Sequence, residues 1–279
     1  MSYTAENTRK TIEAGGIELC YHDVGSGYPV IMLHGGGPGA SGWSNYNRNV
    51  DALAAQFRLL IVDMPGYGKS AKPDMSDDPF GHRANVFIEF SDALGLDKPH
   101  LIGNSLGGAV ALRMALEAPA KMGKVVLMGP GGGFSPHQLA PTQGLLELLL
   151  YYADGKPTRE RLVSFLRHLV FDASTLTDDL IDERYKASVE PDVLACPPLV
   201  IPKGPVHGID LWRDPRLQTL PNEVLVIWGA EDKVNPADGA LLFQRLIPRC
   251  DTYIFSKCGH WAQWEYADKF NGIVSVYLS

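Results

Sequence analysis

Three residues, Ser105, Asp232 and His260, carry the chemistry that this sequence can be expected to perform. Ser105 lies in Gly103-Asn104-Ser105-Leu106-Gly107, a G-x-S-x-G pattern in which a serine is held on a tight turn. The flanking glycines have a mechanical reason to be there, because such a turn leaves no room for bulk on either side. The plain alternative is an ordinary strand-to-helix turn that contains a serine. A serine hydroxyl is a weak nucleophile at neutral pH and needs a base within hydrogen-bond reach. His260 has the right titration range for that base, and a carboxylate such as Asp232 would fix its tautomer and stabilise the imidazolium. Glu231 is the competing acid, with a solvated loop charge as its other reading. A developing oxyanion would be met by the backbone N–H groups of Leu106 and of Gly36, the latter in His34-Gly35-Gly36-Gly37-Pro38-Gly39. His34 reads as a brace for that loop.

These residues must be placed by the elements around them. Apolar runs at 29–33, 58–63, 99–102, 125–128, 223–228 and 252–255 read as strands, preceded by a hairpin of 11–14 and 17–21 around Gly15-Gly16. Helical patterns at 82–94, 109–116, 237–246 and about 264–278 alternate with them. This alternation predicts an α/β fold with a mostly parallel central sheet and helices on both faces. Ser105, Asp232 and His260 each follow a strand, where ligands bind in open α/β sheets. The order Ser, Asp, His is that of α/β-hydrolases and of no other common triad. Between about 134 and 211 the alternation stops. Helical spacing at 143–153, 159–170 and 178–189, then a proline-dense stretch at 191–205 expected to be extended, predicts a helical lid inserted into the core. The organisation is therefore core at 1–133, lid at 134–211 and core again at 212–279.

Composition removes other function classes. The 279 residues are 45% hydrophobic and 20% charged, and 25 basic against 32 acidic residues give a net charge of −7 with no long basic block. Nucleic acid is thus not an expected partner. Cys20, Cys196, Cys250 and Cys258 form no C-x-x-C pair, Met1 to Lys10 lacks the apolar centre of a signal peptide, and the apolar run 145–152 is broken by Glu147. A cytoplasmic chain without a membrane span is expected. Gly68-Lys69-Ser70 mimics the end of a phosphate-binding loop, but position 63, where that loop needs glycine, is Asp. The glycines after His34 are a weak G-x-G-x-x-G match without the helix start that cradling phosphate requires. His22, His82, His100, His137, His168 and His207 show no metal-ligand spacing, and Cys258 with His260 alone does not make a zinc site. Neither a metal nor a cofactor is expected.

Longer blocks carry a resemblance. His34 to Tyr46, Gly103 to Gly108, Leu127-Met128-Gly129-Pro130-Gly131-Gly132 and Ser256 to Glu265 resemble the meta-cleavage product hydrolases, carbon–carbon bond hydrolases of aromatic-ring degradation. The likeness covers nearly the whole chain and is weakest between 191 and 218. It implies a 2-hydroxy-6-oxo-hexa-2,4-dienoate substrate, split by water into 2-hydroxypenta-2,4-dienoate and an acid. It also implies that Arg184 holds the substrate carboxylate, that Asn45, Asn104 and Trp261 line the polar end, and that Gly35 and Gly37 border the substrate. A guanidinium fork suits a carboxylate; the competing reading of Arg184, between Glu183 and Lys186, is a solvated helix charge. The resemblance further implies a homo-oligomer, and an aryl C6 substituent is favoured. Whether Ser105 forms an acyl-enzyme or activates water is left open by the sequence. A serine carboxylesterase on the same fold is the alternative activity, and a binding protein that has lost turnover a third. A haloalkane dehalogenase is excluded, since it would carry Asp at position 105.

Overall fold

The computed structural model describes residues 3–138, 140–199 and 206–279. Eight strands, β1 (Arg9–Ala14), β2 (Ile17–Val24), β3 (Tyr28–Leu33), β4 (Phe57–Val62), β5 (His100–Asn104), β6 (Val125–Met128), β7 (Val224–Gly229) and β8 (Cys250–Phe255), form one sheet. Their order is β1-β2-β4-β3-β5-β6-β7-β8. β1 and β2 pair antiparallel, as do β2 and β4, and the other pairs are parallel.

The central strands are buried from end to end because both faces are covered, and their residues divide by parity. Ile31, Leu33, Leu60, Val62, Leu101, Val125 and Leu127 face one core. Val30, Met32, Leu59, Ile61, Ile102, Val126 and Met128 face the other, as the two-residue period of a strand demands. The first core is closed by α3 (Gly81–Ala93), α4 (Leu106–Glu117) and α9 (Gly239–Leu246), the second by α1 (Gly42–Tyr46), α2 (Val50–Ala54) and α11 (Ala267–Leu278). α3 ends as its sequence predicts: Gly95 N–H donates to the Asp92 carbonyl and Leu96 N–H to that of Ser91, with Gly95 left-handed at φ 62°.

Between β6 and β7 the described residues hold α5 (Gln143–Leu150), α6 (Arg159–Leu169), α7 (Asp178–Ser188) and α8 (Pro191–Ala195), and no strand. α8 corrects the expectation of an extended 191–205: Pro191 sits in the first turn, where its missing N–H costs nothing. Residues 200–205 of that stretch lie outside the described residues. The single final helix is also corrected. It is α10 (Ala262–Glu265) followed by α11, with Tyr266 non-helical between them at φ −124°, ψ 45°. The helices of the 143–195 region share a third core, in which Leu148, Leu162, Phe165, Leu169, Leu180 and Val193 meet Val234 and Trp261 from the loops after β7 and β8 and Trp264 from α10.

Candidate active site

Ser105 stands between β5 and α4 at φ 53°, ψ −114°, a conformation that a side-chain-bearing residue rarely adopts. Holding it there costs about 1–3 kcal/mol and needs the surroundings to impose it. They do so through close backbone contact. A Cβ on Gly103 would lie 2.3 Å from the Gly107 carbonyl oxygen, and one on Gly107 would lie 2.2 Å from that of Leu33. Ser105 N–H donates to the Met128 carbonyl at 2.8 Å, tying the turn to the neighbouring strand. The residue after the serine, Leu106, opens α4, so its N–H has no acceptor within the helix and lies at the positive end of the helix dipole.

The Nδ1 of His260 lies 2.7 Å from Oδ2 of Asp232, and both side chains are essentially inaccessible to solvent. Asp232 is held from several sides. Its Oδ1 accepts from the backbone N–H of Val234 and Asn235 at 2.8 and 2.9 Å, and its Oδ2 also accepts from Trp228 Nε1 at 3.0 Å. A carboxylate fixed in this way receives the Nδ1 proton, which leaves Nε2 unprotonated in the neutral ring. Nε2 is buried and has no hydrogen-bond partner among the described residues, and His260 shares one cavity with Ser105. Glu231, the competing acid, does not meet the ring: its Oε2 accepts from Cys258 N–H at 3.0 Å. The supports Trp228 and Asn235 escaped sequence reasoning; the available signal was an indole N–H ending a buried strand, which requires an acceptor nearby.

The loop after β3 is set by His34. Its Nδ1 donates to the Gly35 carbonyl at 2.8 Å, and its Nε2 accepts from Met64 N–H at 3.0 Å. Because the trans peptide points its C=O and N–H in opposite directions, anchoring the Gly35 carbonyl turns the Gly36 N–H away from His34. The hydroxyl of Tyr67 fixes the next peptide, donating to the Gly36 carbonyl at 2.9 Å. His34 is therefore a structural histidine, and burial pulls its pKa down to about 3.

His22 and His100 are also buried, each with its pKa lowered to about 4 chiefly by desolvation. All three rings bind protons more weakly in the folded chain than in the unfolded one, whose imidazoles titrate near 6.5. Their contribution is complete above that pH and lost as pH falls toward 4 and 3, by about 2 kcal/mol each at pH 5. Guanidinium unfolding at pH 7.5, 6 and 5 should show stability falling at each step, while unchanged stability down to pH 5 would contradict this assignment.

Gly35, Gly36, Gly37, Asn45, Asn104, Ser105, Arg184, His260 and Trp261 line one cavity, with Ala40, Leu148, Phe165, Leu169 and Val234 completing the wall. The structure thus gathers these expected site residues in one place, with Asp232 behind His260 and Leu106 beside Ser105. Arg184 is not the solvated helix charge of its competing reading: it is 1% exposed. Nε and Nη2 donate to the Pro38 carbonyl at 3.2 and 3.0 Å, Nη1 is buried without a partner among the described residues, and Cζ lies 5.1 Å from the Trp261 ring centre. Burial pulls its pKa down to about 10, and none of the described acidic side chains pairs with it. The approach to Pro38 depends on Gly37, where a Cβ would lie 2.7 Å from Nη2. Asn104 points its Nδ2 at the Met128 and His260 carbonyls, at 3.3 and 3.4 Å; its Oδ1 and the Nδ2 of Asn45 are buried without a hydrogen-bond partner among the described residues. Among the described residues no group of three His, Cys, Asp or Glu side chains could hold a metal ion.

The α/β-hydrolase fold family matches residues 28–267. A 2-hydroxy-6-oxo-6-phenylhexa-2,4-dienoate hydrolase of Burkholderia cepacia is 42% identical over 92% of this chain and 90% of its own. The chain belongs to the meta-cleavage product hydrolases. A 2-hydroxy-6-oxononadienedioate/2-hydroxy-6-oxononatrienedioate hydrolase of Dechloromonas aromatica is 41% identical over 94% of this hydrolase and 91% of its own length. Among solved structures, the meta-cleavage product hydrolase of Pseudomonas fluorescens, crystallised as a serine-to-alanine mutant with acetates, superposes with a TM-score of 0.82. It is 34% identical and the match covers 95% of each chain. The expected α/β-hydrolase architecture holds for this hydrolase, with its mostly parallel sheet and helices on both faces. No helix among the described residues is long and apolar enough to cross a membrane.

Proposed function

We propose that this hydrolase cleaves the carbon–carbon bond of a 2-hydroxy-6-oxo-hexa-2,4-dienoate with an apolar, aryl-type C6 substituent. The observation that carries the proposal is Arg184, a buried guanidinium without a carboxylate partner among the described residues, facing the same cavity as Ser105 and His260. Burying a cation without a counterion is costly, and a carboxylate ligand offsets that cost. The substrate carboxylate binds Arg184, and the dienoate runs past Asn104 and Trp261 toward Ser105. Among the described residues lining the cavity Arg184 is the one cation, and Leu148, Phe165, Leu169 and Val234 form an apolar wall. That lining favours a neutral C6 group over a second carboxylate. Residues 134–211 act as the lid that supplies Arg184, Leu148, Phe165 and Leu169, and Val234 joins the wall from the loop after β7.

The reaction needs a carbon leaving group, so the dienol first ketonises, with His260 moving the proton to C5. Ser105 then acts at the C6 carbonyl with His260 as base, while Gly36 and Leu106 N–H stabilise the oxyanion. Water supplies hydroxyl to the acyl carbon and, in net terms, hydrogen to the departing carbon, giving a carboxylic acid and 2-hydroxypenta-2,4-dienoate. No cofactor takes part, and a cytoplasmic homo-oligomer completes the reading; light scattering would report the assembly.

Replacing Arg184 with Met keeps bulk and removes the charge. In kcat/KM for the 6-phenyl dienoate, a loss of about 10²–10³-fold is expected, the scale of truncating one partner of a buried charged pair. Hydrolysis of a neutral p-nitrophenyl ester should change less than about five-fold by the same reasoning. Equal losses on both substrates would make Arg184 structural and remove the support for an anionic substrate.

A further inference from the structure

A single carboxylate joins the loop that carries His260 to the helical region above it. Glu265, in α10, accepts with Oε1 from the backbone N–H of Phe171 and of Asp172, at 2.8 and 3.2 Å. With Oε2 it accepts from Gly259 N–H at 2.7 Å. Phe171 and Asp172 lie just beyond Val170, the residue that ends α6, whose last helical residue, Leu169, lines the active-site cavity. Gly259 directly precedes His260. The two segments also touch through their backbones, since Trp261 N–H donates to the Leu169 carbonyl at 3.1 Å. A Cβ on Gly259 would lie 2.8 Å from backbone atoms of Leu169 and Val170.

We infer that Glu265 is a positioning residue, whose carboxylate holds the catalytic histidine loop and the cavity wall of α6 in register. The inference rests on the roles given above to Ser105 and His260, and not on which substrate they process. The chemistry of the group explains why an acid is needed. Three N–H donors converge on it from opposite sides, and an ionised carboxylate is acceptor-only, with capacity on both oxygens. An amide can serve one side only, because its NH2 would face a donor on the other. The pairing fixes two backbones that no other side chain among those described bridges in this way. Glu231 does a related task one residue earlier, binding Cys258 N–H, but its own backbone belongs to the Asp232 loop. The His260 loop is thus tied to the acid loop by Glu231 and to α6 by Glu265.

The test is Glu265→Gln, read in two ways on the full chain. In steady state, kcat should fall about 10- to 100-fold on both the 6-phenyl dienoate and a p-nitrophenyl ester, the scale of a small misplacement of a catalytic group, with KM within about three-fold. Testing the ester as well separates this inference from the substrate assignment, since either substrate requires the same histidine. In hydrogen–deuterium exchange, peptides spanning residues 169–173 and 257–261 should both lose protection while the strands keep theirs. A kcat within two-fold of wild type on both substrates would overturn the inference. So would loss of protection in one of the two peptides alone. If the variant is grossly unfolded, Glu265→Ala in a thermally matched comparison with Glu231→Gln decides: release of the 169–173 peptide must follow Glu265 and not Glu231.

Discussion

Replacing Ser105 with alanine is expected to lower the rate of acid release from the 6-phenyl dienoate by at least about 10³-fold, with KM changed only a few-fold. The side chain is small, so the loss should not come from the fold. Alanine meets the same φ of 53° that serine already tolerates, and the turn is held by backbone contacts at Gly103, Gly107 and Met128. What disappears is the hydroxyl of Ser105, which lines the cavity shared with His260 and to which the proposal assigns the attack. The readout must be the acid product, because in the proposed mechanism ketonisation of the dienol uses His260 and not Ser105. A variant that releases acid at a tenth of the wild-type rate or faster would remove Ser105 from the mechanism. Thermal unfolding within a few degrees of wild type is the accompanying control.

Asp232→Asn should cost a comparable amount, about 10³–10⁴-fold in kcat, for a reason that lies in proton placement. The two backbone donors from Val234 and Asn235 hold an oxygen at the Oδ1 position, so the amide nitrogen takes the place of Oδ2. There it faces the Nδ1 of His260 as a donor and turns that nitrogen into an acceptor. The ring proton moves to Nε2, and the base that Ser105 needs is gone. The Trp228 indole keeps its second acceptor, the Asn235 carbonyl at 2.8 Å, which limits the structural damage. Nitrogen-15 chemical shifts of His260 would report the tautomer directly. A kcat within ten-fold of wild type, or an unchanged tautomer, would refute this role for Asp232.

The parts of the site that could be read from the sequence are those whose physics is local. A buried strand announces itself as an apolar run, and a turn that admits no Cβ announces itself by glycine. Gly103, Gly107 and the run 35–37 therefore mark the tight turn at Ser105 and the loop facing it. The α/β alternation then set Asp232 and His260 on the same edge of the sheet. The parts that could not be read depend on how distant segments meet. Arg184 sits between charged neighbours on a helix whose sequence suits an exposed face as well as a buried one. Its inward orientation follows from α7 docking on the loop at Gly37–Gly39, where a Cβ on Gly39 would come within 1.9 Å of the Arg184 carbonyl oxygen. The supports of the catalytic groups were missed for the same reason. Tyr67, Trp228, Asn235 and Glu265 act across 31, 4, 106 and 94 positions of sequence, on the Gly36 carbonyl, Asp232, the Gly129 carbonyl and the Phe171 N–H, partners that the fold supplies. The helix α8 is not legible because proline density suits an extended segment as well as a helix that carries proline in its first turn.

The most direct test of the central claim is product analysis on the wild-type protein. The protein is supplied with 2-hydroxy-6-oxo-6-phenylhexa-2,4-dienoate in ¹⁸O-water, the yellow absorbance is followed, and the products are identified by mass spectrometry. The account predicts rapid bleaching with equimolar benzoate and 2-hydroxypenta-2,4-dienoate, the benzoate carrying solvent oxygen. Intact dienoate after long incubation, from a preparation that rapidly hydrolyses p-nitrophenyl esters, would contradict carbon–carbon cleavage and leave an esterase on this fold.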